Sequence, residues 1–301
     1  MVQRLPHILS VASVLAVSAR AALPAQNAQR VPAISVTGQG PATFVLLTGL
    51  VGGIAGFRKL EARLVERHYR VVIIDPYALS LDSADVTFAA HARRVDRVLD
   101  SLGVTSARVV GHAHGAGVAL RLAASAPHRV RALYFLDVGA LPDHRSPVFS
   151  GALRLVPVIT RLPGGEGFIR RRFIRGLTDA SGPNLWLDPA TERAYTDPVL
   201  DEIDRVIAMA LRLRRADEPE PLSAVVGRVR VPVTVLLGDA PHTAGVVPGE
   251  LEALQPLGSL LTLEHLVGVG HFPHEEDPDG LVRSLLAART EILAAARAVE
   301  P

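Results

Sequence analysis

The segment Val109-Val110-Gly111-His112-Ala113-His114-Gly115-Ala116-Gly117 constrains the fold more than any other. β-Branched residues lead into it and the helix-forming stretch Val118 to Ala126 follows, so a strand must turn abruptly into a helix within a few residues. Glycine at the tight positions of such a turn admits close backbone approach that any side chain would block.

The rest of the chain repeats the strand-then-helix rhythm. Apolar runs at Thr43 to Leu47, Val71 to Ile74, Ala132 to Leu136, Val231 to Leu237 and Leu260 to Leu266 read as strands. Helical spacing appears at Arg58 to His68, Val86 to Leu102, Val118 to Ala126 and Asp279 to Ala298. Short apolar strands alternating with amphipathic helices predict an α/β fold, with a mostly parallel central sheet flanked by helices. Between Asp137 and Val231 the strands disappear and arginine-rich helical stretches take over, such as Phe168 to Leu177 and Val199 to Arg215. This region reads as a helical cap inserted over the carboxyl ends of the strands. The expected organisation is a leader at 1–22, a linker at 23–33, core at 34–140, cap at 141–220 and core again at 221–301.

Composition narrows the chemistry. There is no cysteine among the 301 residues, which excludes disulfides, thiolate catalysis and cysteine-bound metals. The net charge is +2, with no basic run interleaved with aromatics, so nucleic acid is not an expected partner. At the N-terminus, Arg4 precedes an apolar stretch from Ile8 to Ala19, and Ala19-Arg20-Ala21 offers a small-x-small cleavage pattern. The expectation is a cleaved signal peptide and a secreted or periplasmic protein with no stable membrane span. An uncleaved anchor is the alternative.

With Gly111 and Gly115 bracketing the turn, and Gly268-Val269-Gly270-His271-Phe272-Pro273 near the C-terminus, the chain resembles the α/β-hydrolase fold superfamily. The resemblance runs from about Thr43 to Arg297, less clearly through the cap. That family reads Gly-x-Ser-x-Gly at the elbow holding its nucleophile, whereas this chain reads Gly111-His112-Ala113-His114-Gly115. A methyl group cannot attack a carbonyl, so the resemblance implies a site without its covalent nucleophile. It places the catalytic histidine at His271. The acid that orients it falls at Asp137 or at Asp239, where Pro241 stands in the family's commoner acidic position. Backbone N–H groups of His114 and of Gly49 or Leu50 would form the oxyanion hole. Ser80 and Ser83 are alternative nucleophiles with no geometric support from sequence.

His112 and His114 form a His-x-His pair, but with no cysteine or acid close by they read as packed side chains rather than metal ligands. The cap arginines Arg170 to Arg172 and Arg175 read as a solvated helix face, or as a surface for an acidic substrate or membrane. No cofactor or metal is expected, and the expected ligand is a small apolar or acyl molecule. Three functions stay open: a degenerate hydrolase relative that binds such a molecule, a His271-dependent enzyme resembling the cofactor-independent dioxygenases of this fold, and a weak esterase in which His271 activates water.

Overall fold

The computed structural model describes residues 32–138, 151–183, 186–244, 246 and 249–287. The leader and linker expectations lie outside these residues up to position 31, as does the end of the C-terminal helix. Seven strands form one sheet: β1 (Ile34–Thr37), β2 (Thr43–Leu47), β3 (Arg70–Ile74), β4 (Ala107–His112), β5 (Val130–Leu136), β6 (Val233–Gly238) and β7 (Leu261–Leu266). Their order is β1-β3-β2-β4-β5-β6-β7. Only β1 runs antiparallel, pairing Ile34 with Ile74 and Thr37 with Val71.

The sequence reading did not identify β1. Its four residues alternate in character and sit on the sheet's edge, too short a signal to separate from a linker.

Helices α1 (Arg58–Glu66), α2 (Phe88–Ser101) and α3 (His114–Ser125) lie in the first half of the core. The region between β5 and β6 carries α4 (Val156–Thr160), α5 (Gly165–Ala180), α6 (Pro189–Asp201), α7 (Ile203–Leu213) and α8 (Leu222–Val226). Short helices α9 (Glu250–Leu254) and α10 (Pro273–Glu276) flank β7, and residues 278–287 are helical. The single helix expected from Val199 to Arg215 is two helices. Pro198 lies in the last turn of α6, and Glu202 leaves the helical region at φ −114° before α7 begins.

Both sheet faces are covered, which explains why the strands read as unbroken apolar runs. Along β2, Val45 and Leu47 point to the side packed by Val95, Leu99, Val118 and Leu122 of α2 and α3. Phe44 and Leu46 point to the other side, against Leu60 and Leu64 of α1 and Leu281, Val282 and Leu285 near the C-terminus. This alternation is the period of two that strands impose.

The chain crosses β2 in passing from β3 to β4, so strand order reverses between the carboxyl ends of β2 and β4. Open α/β sheets form their ligand crevice at such a switch point.

Candidate functional site

Two loops meet at that switch point. β4 ends in the elbow, where Ala113 takes φ 47° and ψ −121°, a conformation rare for a residue with a side chain. Close packing enforces it. A Cβ on Gly115 would lie 2.3 Å from the Leu47 carbonyl oxygen, and one on Gly111 2.5 Å from the Ala116 nitrogen. The Ala113 N–H donates to the Leu136 carbonyl (3.1 Å), and the Ala113 carbonyl accepts from Ala116 N–H (2.8 Å), which starts α3. From the neighbouring strand, Gly49 approaches so closely that its Cβ would stand 3.6 Å from that of Ala113. The backbone after β2 and the first turn of α3 therefore converge, and N–H groups of a helix's first turn have no partner within the helix.

His271 belongs to the loop after β7. Its Nδ1 lies 2.5 Å from Asp137 Oδ2, at the end of β5. With the carboxylate ionised, Nδ1 carries the proton and Nε2 keeps a free lone pair. Asp137 holds a left-handed φ of 52°, followed by Val138 at 43°. Consecutive β-branched and acidic residues in that region signal a strained turn. Asp239 is not brought to His271. Its Oδ1 accepts from Gly268 N–H (2.6 Å), so it closes the loop that leads to the histidine.

The His-x-His pair divides between two environments. His112 is buried, its Nε2–H donates to the His271 carbonyl (2.8 Å), and its ring packs 4.7 Å from His271 and 4.5 Å from His274. His114 faces the other way, toward Tyr77 and Phe88. Among the described residues no group of three or more potential ligands could hold a metal ion. The Ser80 hydroxyl is buried, donating to the Pro76 carbonyl (2.8 Å) beside His91, and Ser83 Oγ donates to the Asp85 carbonyl. Neither serine contacts His271, which counts against both as replacement nucleophiles.

Sequence reasoning missed the supports of the His271 loop. Glu276 accepts from the N–H groups of Gly182 (2.8 Å), Gly270 (2.9 Å) and Phe272 (3.1 Å), while His271 N–H donates to the Ala180 carbonyl (2.9 Å). One carboxylate thus ties the end of α5 to the histidine loop. Glu275 is buried and accepts from Tyr195 Oη (3.1 Å), with the chain's single lysine, Lys59, 3.0 Å away. His242, on the loop after β6, places Nε2 3.8 Å from Asp137, beyond hydrogen-bond reach. The adjacent Glu-Glu and the lone lysine were the available signals, but their partners are up to 216 residues away.

Burial drives most of the local protonation. It holds His112 down at about 3 and His91 at about 4, depresses His271 and His274, and raises Asp137. His271 is therefore a neutral imidazole at neutral pH, the form a general base needs. The unfolded chain takes up protons on these histidines below about pH 6.5, and the folded chain does so only at lower pH. Their contribution to stability is complete above that value and is lost as pH falls. Asp137, Asp75 and Glu275, raised by burial, offset part of the loss by protonating earlier in the folded state. From about pH 7 to about pH 5 each histidine removes about 2 kcal/mol. The thermal midpoint is expected to drop on the order of 10 °C over that range, as calorimetry at the two pH values would check.

The insertion brackets this site from two sides. Trp186, Tyr195 and Phe272 stack with centroids 5.1 to 6.3 Å apart over the histidine loop. Met209, Ala210 and Leu213 of α7 pack with Tyr77 and partly buried Leu50.

Sheet order, crossover and elbow define the α/β-hydrolase fold, and a model described as alpha/beta hydrolase fold matches residues 42–175. Among known proteins, the chain is similar to RutD of Azorhizobium caulinodans, named as a candidate carbamate hydrolase. They are 34% identical over 107 residues, 35% of this chain and 40% of that protein, so this similarity spans less than half of the relative. It is 29% identical to the magnesium-chelatase 30 kDa subunit of Rhodobacter capsulatus over 263 residues, 82% of this chain and 87% of that one. A solved structure from Pseudomonas aeruginosa, described as a candidate epoxide hydrolase, superposes with a TM-score of 0.63 at 25% identity. It covers 88% of this chain and 92% of its own.

Proposed function

We propose that this protein binds a small apolar or acyl molecule at the switch point beneath its helical insertion, as a hydrolase relative that forms no acyl-enzyme. The observation that carries this reading is the methyl group of Ala113 at the apex of an elbow whose strained backbone, φ 47° and ψ −121°, is otherwise retained. A hydroxyl there would be the attacking group, and a methyl has neither a lone pair nor a proton to give up. The convergence of Gly49 and the first turn of α3 supports a role for their N–H groups in holding a ligand's carbonyl oxygen. The aromatic stack of Trp186, Tyr195 and Phe272 supports an apolar ligand.

A second reading has its own support in the bond from His271 to Asp137. In it Asp137 orients the imidazole, and Nε2 takes a proton from water as the water attacks a carbonyl carbon held at the switch point. The displaced electron pair goes to the carbonyl oxygen, and collapse of that intermediate releases the alcohol, which recovers the proton from His271. Such direct attack forms no covalent bond to the protein.

Both readings predict that an organophosphonate serine probe fails to label the chain and that aryl esters give no burst. Residual ester turnover falling roughly 10-fold or more in His271→Ala would favour water activation. Turnover indifferent to His271 leaves binding, which a ligand retained through purification and identified by mass spectrometry would establish. A burst, or a labelled residue, would overturn the proposal.

A further inference from the structure

Four of the seven large hydrophobic side chains exposed among the described residues lie within fourteen positions of one another, Leu155, Val158, Leu162 and Phe168, each more than half exposed. Leu155 ends a 3₁₀ turn, Val158 lies in α4 and Leu162 follows it, at intervals of three and four. Phe168 is exposed in the first turn of α5, followed on its own face by Arg171, Arg172 and Arg175 at helical spacing. Helices α4 and α5 form a hairpin through Gly164 and Gly165. A Cβ on Gly165 would stand 1.7 Å from the Ile159 carbonyl oxygen, so the two helices meet closely there.

Charge is concentrated on the same hairpin. Residues 151–175 hold six arginines and a single acid, Glu166, a net charge of +5 in a chain whose total is +2. The remainder of the protein is therefore net negative, by three. Glu166 is itself taken up by Arg170, and Arg161 pairs with Asp204 from α7. Arg154, Arg171, Arg172 and Arg175 have no ion pair among the described residues.

We infer that the outer face of the α4–α5 hairpin docks on an anionic phospholipid surface, with Leu155, Val158, Leu162 and Phe168 entering the headgroup layer and the arginines meeting lipid phosphates. The charge complementarity selects this occupant. A second copy meeting this face in two-fold symmetry would set arginine against arginine, which disfavours a dimer. Apolar side chains flanked by arginines on short helices form the pattern of helices that lie in a membrane interface. No helix among the described residues is long and apolar enough to cross a membrane, so the attachment would be peripheral. The inference does not depend on the chemistry at Ala113.

Sedimentation of the full chain with vesicles tests it, using phosphatidylcholine alone and phosphatidylcholine mixed with phosphatidylglycerol. Binding is expected to the mixed vesicles and to weaken with added salt. Each arginine near an anionic surface is worth about fivefold in affinity, so the double variant R171E/R172E is expected to lose at least about 25-fold. The double variant L162S/F168S is expected to lose binding while leaving the fold intact, since both side chains are exposed. As an independent readout, Phe168→Trp should show blue-shifted emission quenched by brominated lipid, whereas the buried Trp186 should not. The inference fails if the parent binds neither vesicle, binds both equally, or binds no better than the two variants. It also fails if Phe168→Trp stays unquenched, or if sedimentation equilibrium shows a dimer that L162S/F168S dissolves.

Discussion

Ala113→Ser is expected to give a burst of product with short-chain aryl esters and stoichiometric labelling by an organophosphonate, where the natural chain gives neither. Two of the geometric requirements are in place. The residue already holds the strained conformation of an elbow apex, fixed by Gly111 and Gly115 against the Ala116 nitrogen and the Leu47 carbonyl. His271 already has its Nδ1 on Asp137, leaving Nε2 to accept a proton from a hydroxyl. Loss of a triad member typically removes several orders of magnitude, so restoring one is expected to raise turnover on the order of 10²- to 10⁴-fold. The gain should vanish in A113S/H271A. It should shrink strongly in A113S/D137N, because asparagine offers Nδ1–H no carboxylate. A serine variant as inert as the parent, with the same circular dichroism and thermal midpoint, would mean that the oxyanion donors or the ligand crevice are not arranged for acyl transfer.

The largest expected effect on stability lies away from the site. Arg121 of α3 is buried and its Nε donates to Glu218 Oε2 at 3.1 Å, while Glu218 also accepts from the N–H groups of Phe88 (2.6 Å) and Ala89 (3.3 Å). One carboxylate thus neutralises a buried guanidinium and, with Thr87, caps α2. Glu218→Ala removes the carboxylate from the buried Arg121, whose Nη1 still donates to the Gly117 carbonyl beside the Phe88 ring. A loss of about 3–5 kcal/mol is expected in urea unfolding. If loss of the ion pair is responsible, the double variant E218L/R121M should recover most of that loss. Equal destabilisation in single and double variants would show that the cap on α2 carries the effect.

These two predictions separate what the sequence made legible from what it did not. The elbow was readable because strand, glycines and helix are contiguous, so local spacing carries the whole geometry. Six of the seven strands were readable from local pattern: both-sided burial writes apolar runs into β2 to β6, and the edge strand β7 showed through its leucines. His271 stood out by its flanking glycines and proline. The choice between Asp137 and Asp239 was not readable, because both follow strands and only the packing of β5 against β6 decides which carboxyl faces the imidazole. Glu218 left no local trace, and Glu276 and Lys59 left only an adjacent Glu-Glu and a lone lysine that name no partner. Each acts on backbone or charge far along the chain, and an acidic residue in a proline-rich loop looks like ordinary solvated surface. The break between α6 and α7 was signalled by Pro198, yet the apolar periodicity of the following residues masked it.

The tie between the insertion and the histidine loop has a mechanical consequence. Ala180, Gly182, Gly270 and His271 share hydrogen bonds directly or through Glu276, and a Cβ on Gly270 would fall 2.3 Å from the Gly182 nitrogen. The end of α5 and the His271 loop are therefore joined through several bonds at once. Lifting that edge to admit a ligand would carry the base away from Asp137 and disarm the site while it is open. The opposite edge, where α7 packs on Tyr77, is held to the loop after β3 by the Arg205–Asp82 ion pair and by Arg212 donating to the Leu81 carbonyl, and neither bond reaches the histidine loop. Opening the insertion on the α5 side would therefore disturb His271, whereas opening it on the α7 side would break an ion pair and a carbonyl contact that leave the histidine in place.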